Sequence, residues 1–242
     1  MSKRPARPFE GKFAVITGAG RGIGQAMAEC FAEAGCALAI CARSNLLQRG
    51  DEIAQQHSTD VFVSYCDVRD ADSVAQFFTA VKTQFGKVDI LVNNAGIAAP
   101  SGPVASLDVN AWRDVIDTNL TGVFLCTRAA LPLMHRGGVV VNNLSVAARQ
   151  PFAGQAAYVA GKHGAKGFTD TLREELREHG IRVIGLYPGA TDTDMWNRFW
   201  RDAPRDRMMS PEVIARATLN AITLPENITL EELVLGSTTG KL

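Results

Sequence analysis

The chain has 242 residues, 46% of them hydrophobic, and carries no net charge at a sequence pI of about 6.9. That is apolar material for one sizeable core, and the balanced charge gives no footprint for nucleic acid or an anionic membrane. The five cysteines (Cys30, Cys36, Cys41, Cys66, Cys126) form no C-x-x-C pair and lie mostly in apolar patterns, which reads as buried free thiols in a reducing compartment.

The basic Met1–Pro8 stretch is followed by no apolar segment, so residues 1–8 read as a flexible tail rather than a targeting signal. No apolar run is long enough to cross a bilayer, and the expectation is a cytoplasmic protein. Phe13–Thr17 is a short apolar run with the marks of a buried strand. It leads into Thr17-Gly18-Ala19-Gly20-Arg21-Gly22-Ile23-Gly24 and a helical pattern through Ala32. Strand, glycine turn and helix aim backbone N–H groups and a helix N-terminus at a phosphate. Glycines serve there because a Cβ would hold a pyrophosphate away.

Gly35 caps that helix, and Ala37–Cys41 is the second strand. An acid at its end would bind a ribose 2′-hydroxyl, but the chain reads Ala42-Arg43-Ser44. Arg43 can form charge-assisted bonds to a 2′-phosphate, with Arg21 bracketing it from the glycine turn. The other reading is two ordinary surface arginines.

The alternation continues with a polar helix over Asn45–Gln56, a strand over Val61–Tyr65 with Asp67 just beyond it, and an amphipathic helix over Ser73–Phe85. A fourth strand, Val88–Val92, runs into Asn93-Asn94-Ala95-Gly96. Helical patterning over Asp108–Met134 contains Asn119 and Gly122, and a fifth strand, Val139–Leu144, delivers Ser145. A helix from Ala157 to Glu178 and a sixth strand, Arg182–Tyr187, end at Pro188-Gly189. Ser210 and Pro211 fit the N-cap and N1 positions of a last helix, and Glu232–Leu235 is a seventh strand.

Continuous apolar strands alternating with helices predict an α/β fold: a doubly wound, dinucleotide-binding sheet of about seven parallel strands, helices on both faces. No linker or repeat divides residues 1–242, so a single domain is expected. In such sheets ligands bind beyond the carboxyl ends of the strands. Gly18, Arg43, Asp67, Asn93, Ser145 and Pro188 all fall there, which places them along one crevice. Tyr158 and Lys162, four apart in a helical pattern, share a face. A cation beside a phenol favours the phenolate, lowers its pKa from about 10 and equips it for proton transfer near neutral pH.

At this point the sequence resembles the short-chain dehydrogenase/reductase family over nearly its whole length. The family's T-G-x-x-x-G-x-G falls on Thr17, Gly18, Gly22 and Gly24, its N-N-A-G on Asn93–Gly96, and its P-G on Pro188-Gly189 with Thr191 or Thr193 beyond. Its catalytic Asn, Ser, Tyr and Lys fall on Asn119, Ser145, Tyr158 and Lys162. Gly154-Gln155-Ala156-Ala157-Tyr158 is similar to the 3-oxoacyl-[acyl-carrier-protein] reductase branch. Gly161 stands where the family usually has Ser, and Leu144 often is Ser. Neither touches the four catalytic positions, so these departures bear on substrate rather than on activity.

The resemblance implies hydride transfer between NADP(H) and a carbonyl, ketone or 3-oxoacyl, with Ser145 bonding the carbonyl oxygen and Tyr158 giving the proton. Lys162 would depress the Tyr158 pKa and hold the nicotinamide ribose, and Asn119 would place a water linking Lys162 to solvent. Asn119 also reads as a helix-kinking residue bonded to backbone. Asp67 and Val68 would meet the adenine, though Asp67 also reads as a turn residue. Ile23, Ser44, Asn93, Ala95 and Gly96 complete the expected cofactor wall. Ile97, Val146, Gln155 and Trp196 are candidates for the substrate wall. Residues 193–209, with Trp196, Phe199, Trp200 and four arginines, read as a substrate lid or as a solvated flap. No metal is expected.

Three other functions compete: a non-catalytic NADP(H) sensor, an NAD-dependent alcohol dehydrogenase of the same family, and a sugar-nucleotide epimerase or dehydratase. Tyr158 and Lys162 count against the first, and the short stretch after the last strand counts against the third. Gly161, Gly164 and Gly167 would form a narrow face on the Tyr158 helix. That face packs either on the protein's own sheet or on a second copy. The resemblance favours the second, hence a homo-oligomer, tetramer or dimer, built on this helix and Asp108–Met134.

Overall fold

The computed structural model describes residues 7–238, apart from the side chain of Phe199; positions 1–6 of the expected tail lie outside the described residues. Arg7 is tied down, its guanidinium donating to the His57 carbonyl, and Phe9 beside it is buried. Seven strands, β1 (Phe13–Thr17), β2 (Ala37–Ala42), β3 (Val61–Tyr65), β4 (Ile90–Asn93), β5 (Val139–Asn143), β6 (Arg182–Pro188) and β7 (Glu232–Leu235), form one parallel sheet. Its order is β3-β2-β1-β4-β5-β6-β7. The strand order reverses between β1 and β4, where sheets of this kind open a ligand crevice.

Alternation along each strand feeds two cores. Ala14 and Ile16 of β1 pack with α1 (Gly22–Glu33), α2 (Leu47–His57) and α8 (Pro211–Ile222) on one face. Phe13 and Val15 pack with α3 (Ala71–Phe85), α5 (Gly122–Ala130) and α6 (Ala156–Arg177) on the other. Buried on both faces, the central strands read as unbroken apolar runs. A short α7 (Trp196–Phe199) lies in the segment before α8.

The helix expected over 108–134 is broken. α4 (Val109–Ile116) passes into a wide π-type turn at Asp117–Thr121 before α5 resumes. Within that turn Asn119 faces inward and bonds a neighbouring loop. Gly122 admits Val68, since a Cβ there would sit 2.7 Å from Val68 Cγ2. Pro132 then closes the segment in a 3-10 turn.

The glycines of α6 do not form one outward face. A Cβ on Gly161 would meet Asn119, and one on Gly164 would lie 2.8 Å from Leu120 Cδ2, both in the same chain. Only Gly167 opens outward, with nothing within 4 Å. A spacing of three drifts around a helix of 3.6 residues per turn, so the face twists away from its neighbour.

Candidate active site

A crevice of about 1180 Å³ runs along the carboxyl ends of the strands. It exceeds the roughly 300–1,000 Å³ of an ordinary small-ligand pocket. Every residue expected from the sequence in the cofactor, substrate and catalytic sets lines it except Gly24, Asn93 and Asn119.

The glycine turn is shaped first by the protein's own packing. Gly18 takes φ +65°, and a Cβ there would lie 2.7 Å from Ala95 Cα; on Gly24 it would collide with Asn94 and with the Gly18 carbonyl. These glycines therefore let the β1 turn, α1 and the β4 loop close on one another. Arg21 occupies the N-cap of α1 but makes no side-chain cap, and the first turn has no acid. The leading N–H groups of α1 thus keep their positive end toward the crevice, the arrangement that holds a phosphate. Arg43 and Ser44 stand exposed beside this turn. Arg21 itself pairs with Asp194 at 3.6 Å, both side chains exposed.

Asp67 is already a charged, fixed acceptor. The Arg69 guanidinium forks onto its carboxylate, with Nη2 at 2.7 Å and Nε at 3.0 Å from its two oxygens, and reaches Asp114 at 2.6 Å. The hydrogen bond from Arg69 holds the Asp67 pKa below its usual value, against the opposing effect of burial.

Ser145, Tyr158 and Lys162 meet on the floor of the crevice. Ser145 follows β5 at φ 105°, ψ 154° and is one of two non-glycine residues with positive φ among the described residues. That is a region nearly reserved for glycine, so its backbone carries strain. Its hydroxyl accepts from the Ala147 N–H at 3.2 Å and bonds the Tyr158 phenol. Lys162 is 5% exposed. Its ammonium donates to the Asn143 carbonyl at 2.7 Å.

The expected downward shift of the Tyr158 pKa is not what the protein groups produce. Burial pushes the phenol above its ordinary value, and the Ser145 hydroxyl only partly opposes it. Burial also pulls the Lys162 ammonium down to about 8. The Lys162 ammonium is committed to the Asn143 carbonyl and does not offset the effect of burial on the phenol.

A family model described as short chain dehydrogenase matches residues 12–204. The chain belongs to the short-chain dehydrogenase/reductase family. A 3-oxoacyl-[acyl-carrier-protein] reductase FabG of Staphylococcus aureus is 36% identical over 210 residues, covering 85% of this chain and 84% of the relative. An alcohol dehydrogenase from the archaeon Thermococcus sibiricus, complexed with 5-hydroxy-NADP, superimposes with a TM-score of 0.89 at 33% identity, covering 96% of this chain and 98% of the other. A metagenomic short-chain oxidoreductase in complex with NADP gives 0.82 at 30% identity, covering 96% and 99%.

Two asparagines of this family member turn their side chains to partners within the protein. Asn93 is buried, its amide donating to Thr127 Oγ1 at 2.9 Å and Asn142 Oδ1 at 2.8 Å, so its side chain ties strands together behind the crevice. Asn119 is fully buried and pairs with both sides of the Ile97 peptide, accepting from its N–H at 2.9 Å and donating to its carbonyl at 2.8 Å. It bonds backbone, as one reading held, but that of the β4 loop rather than of its own helix.

The sequence reading passed over Asn94 and Asn143. Asn94 lines the crevice and donates to the Thr17 and Gly18 carbonyls at 3.0 and 3.1 Å. Asn143 donates to Asn94 Oδ1 at 2.8 Å, while its own carbonyl holds Lys162. This chain of bonds joins the glycine turn to the lysine. The available signal was a pair of consecutive asparagines ending each of two neighbouring apolar strands.

Proposed function

We propose that this protein is an NADP(H)-dependent oxidoreductase that interconverts a carbonyl, either a ketone or a 3-oxoacyl group, and a secondary alcohol. The observation that carries the reading is the meeting of Ser145, Tyr158 and Lys162 on the floor of a crevice that begins at an uncapped helix N-terminus. The NADP complexes of the similar structures support the choice of cofactor.

The residues present fit a dinucleotide. Backbone N–H groups from Gly18 to Gly24 hold the pyrophosphate, and Arg21, Arg43 and Ser44 take the 2′-phosphate. Asp67, fixed by Arg69, accepts from the adenine amino group beside Val68. The Asn93 backbone, Ala95 and Gly96 border the adenosine ribose, Tyr158 and Lys162 bind the nicotinamide ribose, and Pro188, Gly189, Thr191 and Thr193 close the nicotinamide end. NADPH, when bound, supplies the hydride.

Ser145 donates a hydrogen bond from its hydroxyl to the substrate carbonyl oxygen and keeps its proton, and Tyr158 transfers the one proton that oxygen takes up as it becomes an alkoxide. The raised Tyr158 pKa keeps the phenol protonated and ready to act as the acid. Lys162 then resupplies Tyr158 with a proton. A Cβ on Gly96 would stand 3.3 Å from Asn119 Oδ1 and 3.6 Å from Lys162 Nζ. Its absence leaves room for a polar bridge between the two, the path along which Lys162 recovers its proton from solvent.

Residues 193–209 act as a lid. The neck is pinned by the Asp192 N–H on the Met209 carbonyl at 2.9 Å and the Met209 N–H on the Ala190 carbonyl at 3.0 Å. Arg205 holds the loop from inside through Asp192 at 2.7 Å and Asn197 at 2.9 Å. Trp196 bonds the Thr191 carbonyl at 2.9 Å and lines the substrate wall. The protein works as a homo-oligomer in the cytoplasm, where five buried, unpaired cysteines suit a reducing compartment.

The test is a screen of ketones, 3-oxoacyl thioesters and secondary alcohols with NADP(H) and NAD(H), followed by the absorbance of the reduced nicotinamide. Carbonyl-dependent oxidation of NADPH is expected. Cofactor binding without turnover of any carbonyl or alcohol would replace this reading with that of a sensor.

A further inference from the structure

Asn94, in the loop after β4, and Asn143, the last residue of β5, both line the crevice, and neither is among the residues assigned to cofactor or substrate. The register pairs of β4 and β5 end at Asn93 and Asn142. Asn143 lies one residue beyond, and its side chain ties it to the β4 side: Nδ2 donates to Asn94 Oδ1 at 2.8 Å. Asn94 is itself fixed. Its Nδ2 donates to the Thr17 and Gly18 carbonyls at 3.0 and 3.1 Å, and its backbone N–H donates to Thr17 Oγ1 at 3.0 Å. An amide whose nitrogen is spent on two carbonyls can present only its oxygen elsewhere. That oxygen needs a donor, and Asn143 supplies it. Aspartate in either place would set oxygen against oxygen.

The Asn143 carbonyl accepts from the Lys162 ammonium at 2.7 Å, the one hydrogen bond that ammonium makes among the described residues. No charged side chain pairs with it there. Its neighbours are the Tyr158 ring on its own helix and the neutral Gly96 and Asn119. A buried charge persists only when it is paired or hydrogen-bonded. Burial already pulls this ammonium down to about 8, and the carbonyl bond favours its charged form. The direction of that carbonyl is set by its peptide. The Leu144 N–H of the same peptide donates to the Leu186 carbonyl of β6 at 2.8 Å. In a trans peptide the carbonyl points the other way, away from β6 and toward Lys162. Two anchors therefore hold the peptide: β6 through Leu144, and Asn94 through the Asn143 side chain.

We propose that Asn143 is a positioning residue for Lys162 and that Asn94 holds it in place, the pair aiming the carbonyl that receives the ammonium. The lysine is thereby placed from the glycine turn, through the Thr17 and Gly18 carbonyls. This rests on the carbonyl-reductase reading, in which Lys162 returns a proton to Tyr158. When the tie between the asparagines is cut, the peptide turns, the ammonium loses its acceptor, and its charged form is less favoured.

The test follows the Lys162 Cε signal by NMR in ligand-free protein labelled with carbon-13 lysine, the signal being assigned by its absence from Lys162→Met. Wild type, Asn143→Leu, Asn94→Ala and the double variant are titrated from about pH 6 to 11. Asn143→Leu keeps the branched shape and removes the donor. Asn94→Ala removes the acceptor and leaves Asn143 intact, which covers the case of a Leu variant that fails to fold. Lys162 is expected to titrate about one unit lower in each single variant, the size of one hydrogen bond to a charged group. The double variant should titrate no lower, because both changes remove the same tie. The alkaline limb of kcat for NADPH-dependent carbonyl reduction should move to lower pH in step, whereas a general loosening of the fold lowers kcat evenly across pH. A Lys162 that titrates within about 0.3 unit of wild type in the folded variants, or shifts that add in the double variant, overturns the assignment whatever the activity. A shifted lysine with an unmoved kcat limb overturns its bearing on catalysis. A wild type that binds NADPH but turns over no carbonyl removes the carbonyl-reductase reading, and is told apart from a failure of the positioning, which the titration alone decides.

Discussion

The Lys162 Nζ lies 5.7 Å from the centre of the Tyr158 ring, one helical turn away, yet its ammonium is bonded to the Asn143 carbonyl rather than to the phenol. Burial lowers its pKa from 10.5 to about 8. The folded pKa is below the unfolded one, so between these values the unfolded chain binds the extra proton. For this group, stability is lowest below pH 8 and rises as the pH climbs from 8 toward 10.5. The full shift corresponds to about 3 kcal/mol. Lys162→Met removes the titrating group. Denaturant unfolding without cofactor should show the variant losing about 3 kcal/mol relative to wild type as pH rises from 7 to 10.5. A difference between the two proteins that is flat across that range would contradict the assigned burial penalty.

Tyr158→Phe keeps the ring and removes the proton. Carbonyl reduction should fall by about 10²–10⁴-fold, the contribution of a positioned general acid. NADPH binding, measured by fluorescence or thermal shift, should persist, because most of the proposed cofactor wall lies elsewhere. A variant that keeps more than roughly a tenth of wild-type turnover is incompatible with Tyr158 as the acid.

Arg43 and Arg21 should set the choice of cofactor. A charge-assisted bond to the 2′-phosphate contributes about 1.5–3 kcal/mol, roughly tenfold to a hundredfold in kcat/KM for NADPH over NADH. Arg43→Asp should erase or invert that preference. Equal kcat/KM values with the two cofactors in the wild type would leave these arginines as surface charges.

The strand ends were legible in the sequence because each buried strand is an apolar run stopped by a polar residue or a glycine. β1, β3 and β7 begin and end where the pattern puts them. The asparagine pairs show where legibility ends. Neighbours on a strand point to opposite faces, so of Asn93 and Asn94 one must turn from the crevice, and a motif does not say which. The packing decides: Thr127 and Asn142 wait behind β4 for Asn93, and the Thr17 and Gly18 carbonyls wait in front for Asn94. The break at Asp117–Thr121 was hidden for a related reason. Its cause is a partner distant in sequence, the Ile97 peptide, which a helical periodicity does not register.

Gly24→Ala tests whether the glycine turn is shaped by the protein or by its ligand. The added Cβ would collide with the Gly18 carbonyl and Asn94. Backbone cannot yield cheaply, so a loss of about 1–3 kcal/mol is expected, with weaker NADPH binding as the turn and α1 are pushed apart. Unchanged thermal stability combined with lost binding would instead make the ligand the reason for this glycine.

Assembly is best tested on the outer face of α5 and α6. Phe124 is 43% exposed and meets Phe168 edge to face at 6.2 Å. Trp112 and Val109 of α4 are also exposed. Gly167, next to Phe168 in α6, offers open space. Gly161 and Gly164 no longer support an interface, since the same chain covers them. The half-exposed Phe124–Phe168 pair carries the argument in their place: an apolar contact between the outer faces of α5 and α6 forms a surface that a twofold axis can close upon itself. Light scattering at micromolar protein should report a dimer or tetramer for the wild type. Phe124→Asp places a charge at the centre of that contact, and Gly167→Trp fills its flat edge; both should lower the mass toward that of one chain. A monomeric wild type, or two variants that remain fully assembled, would move the interface away from these helices.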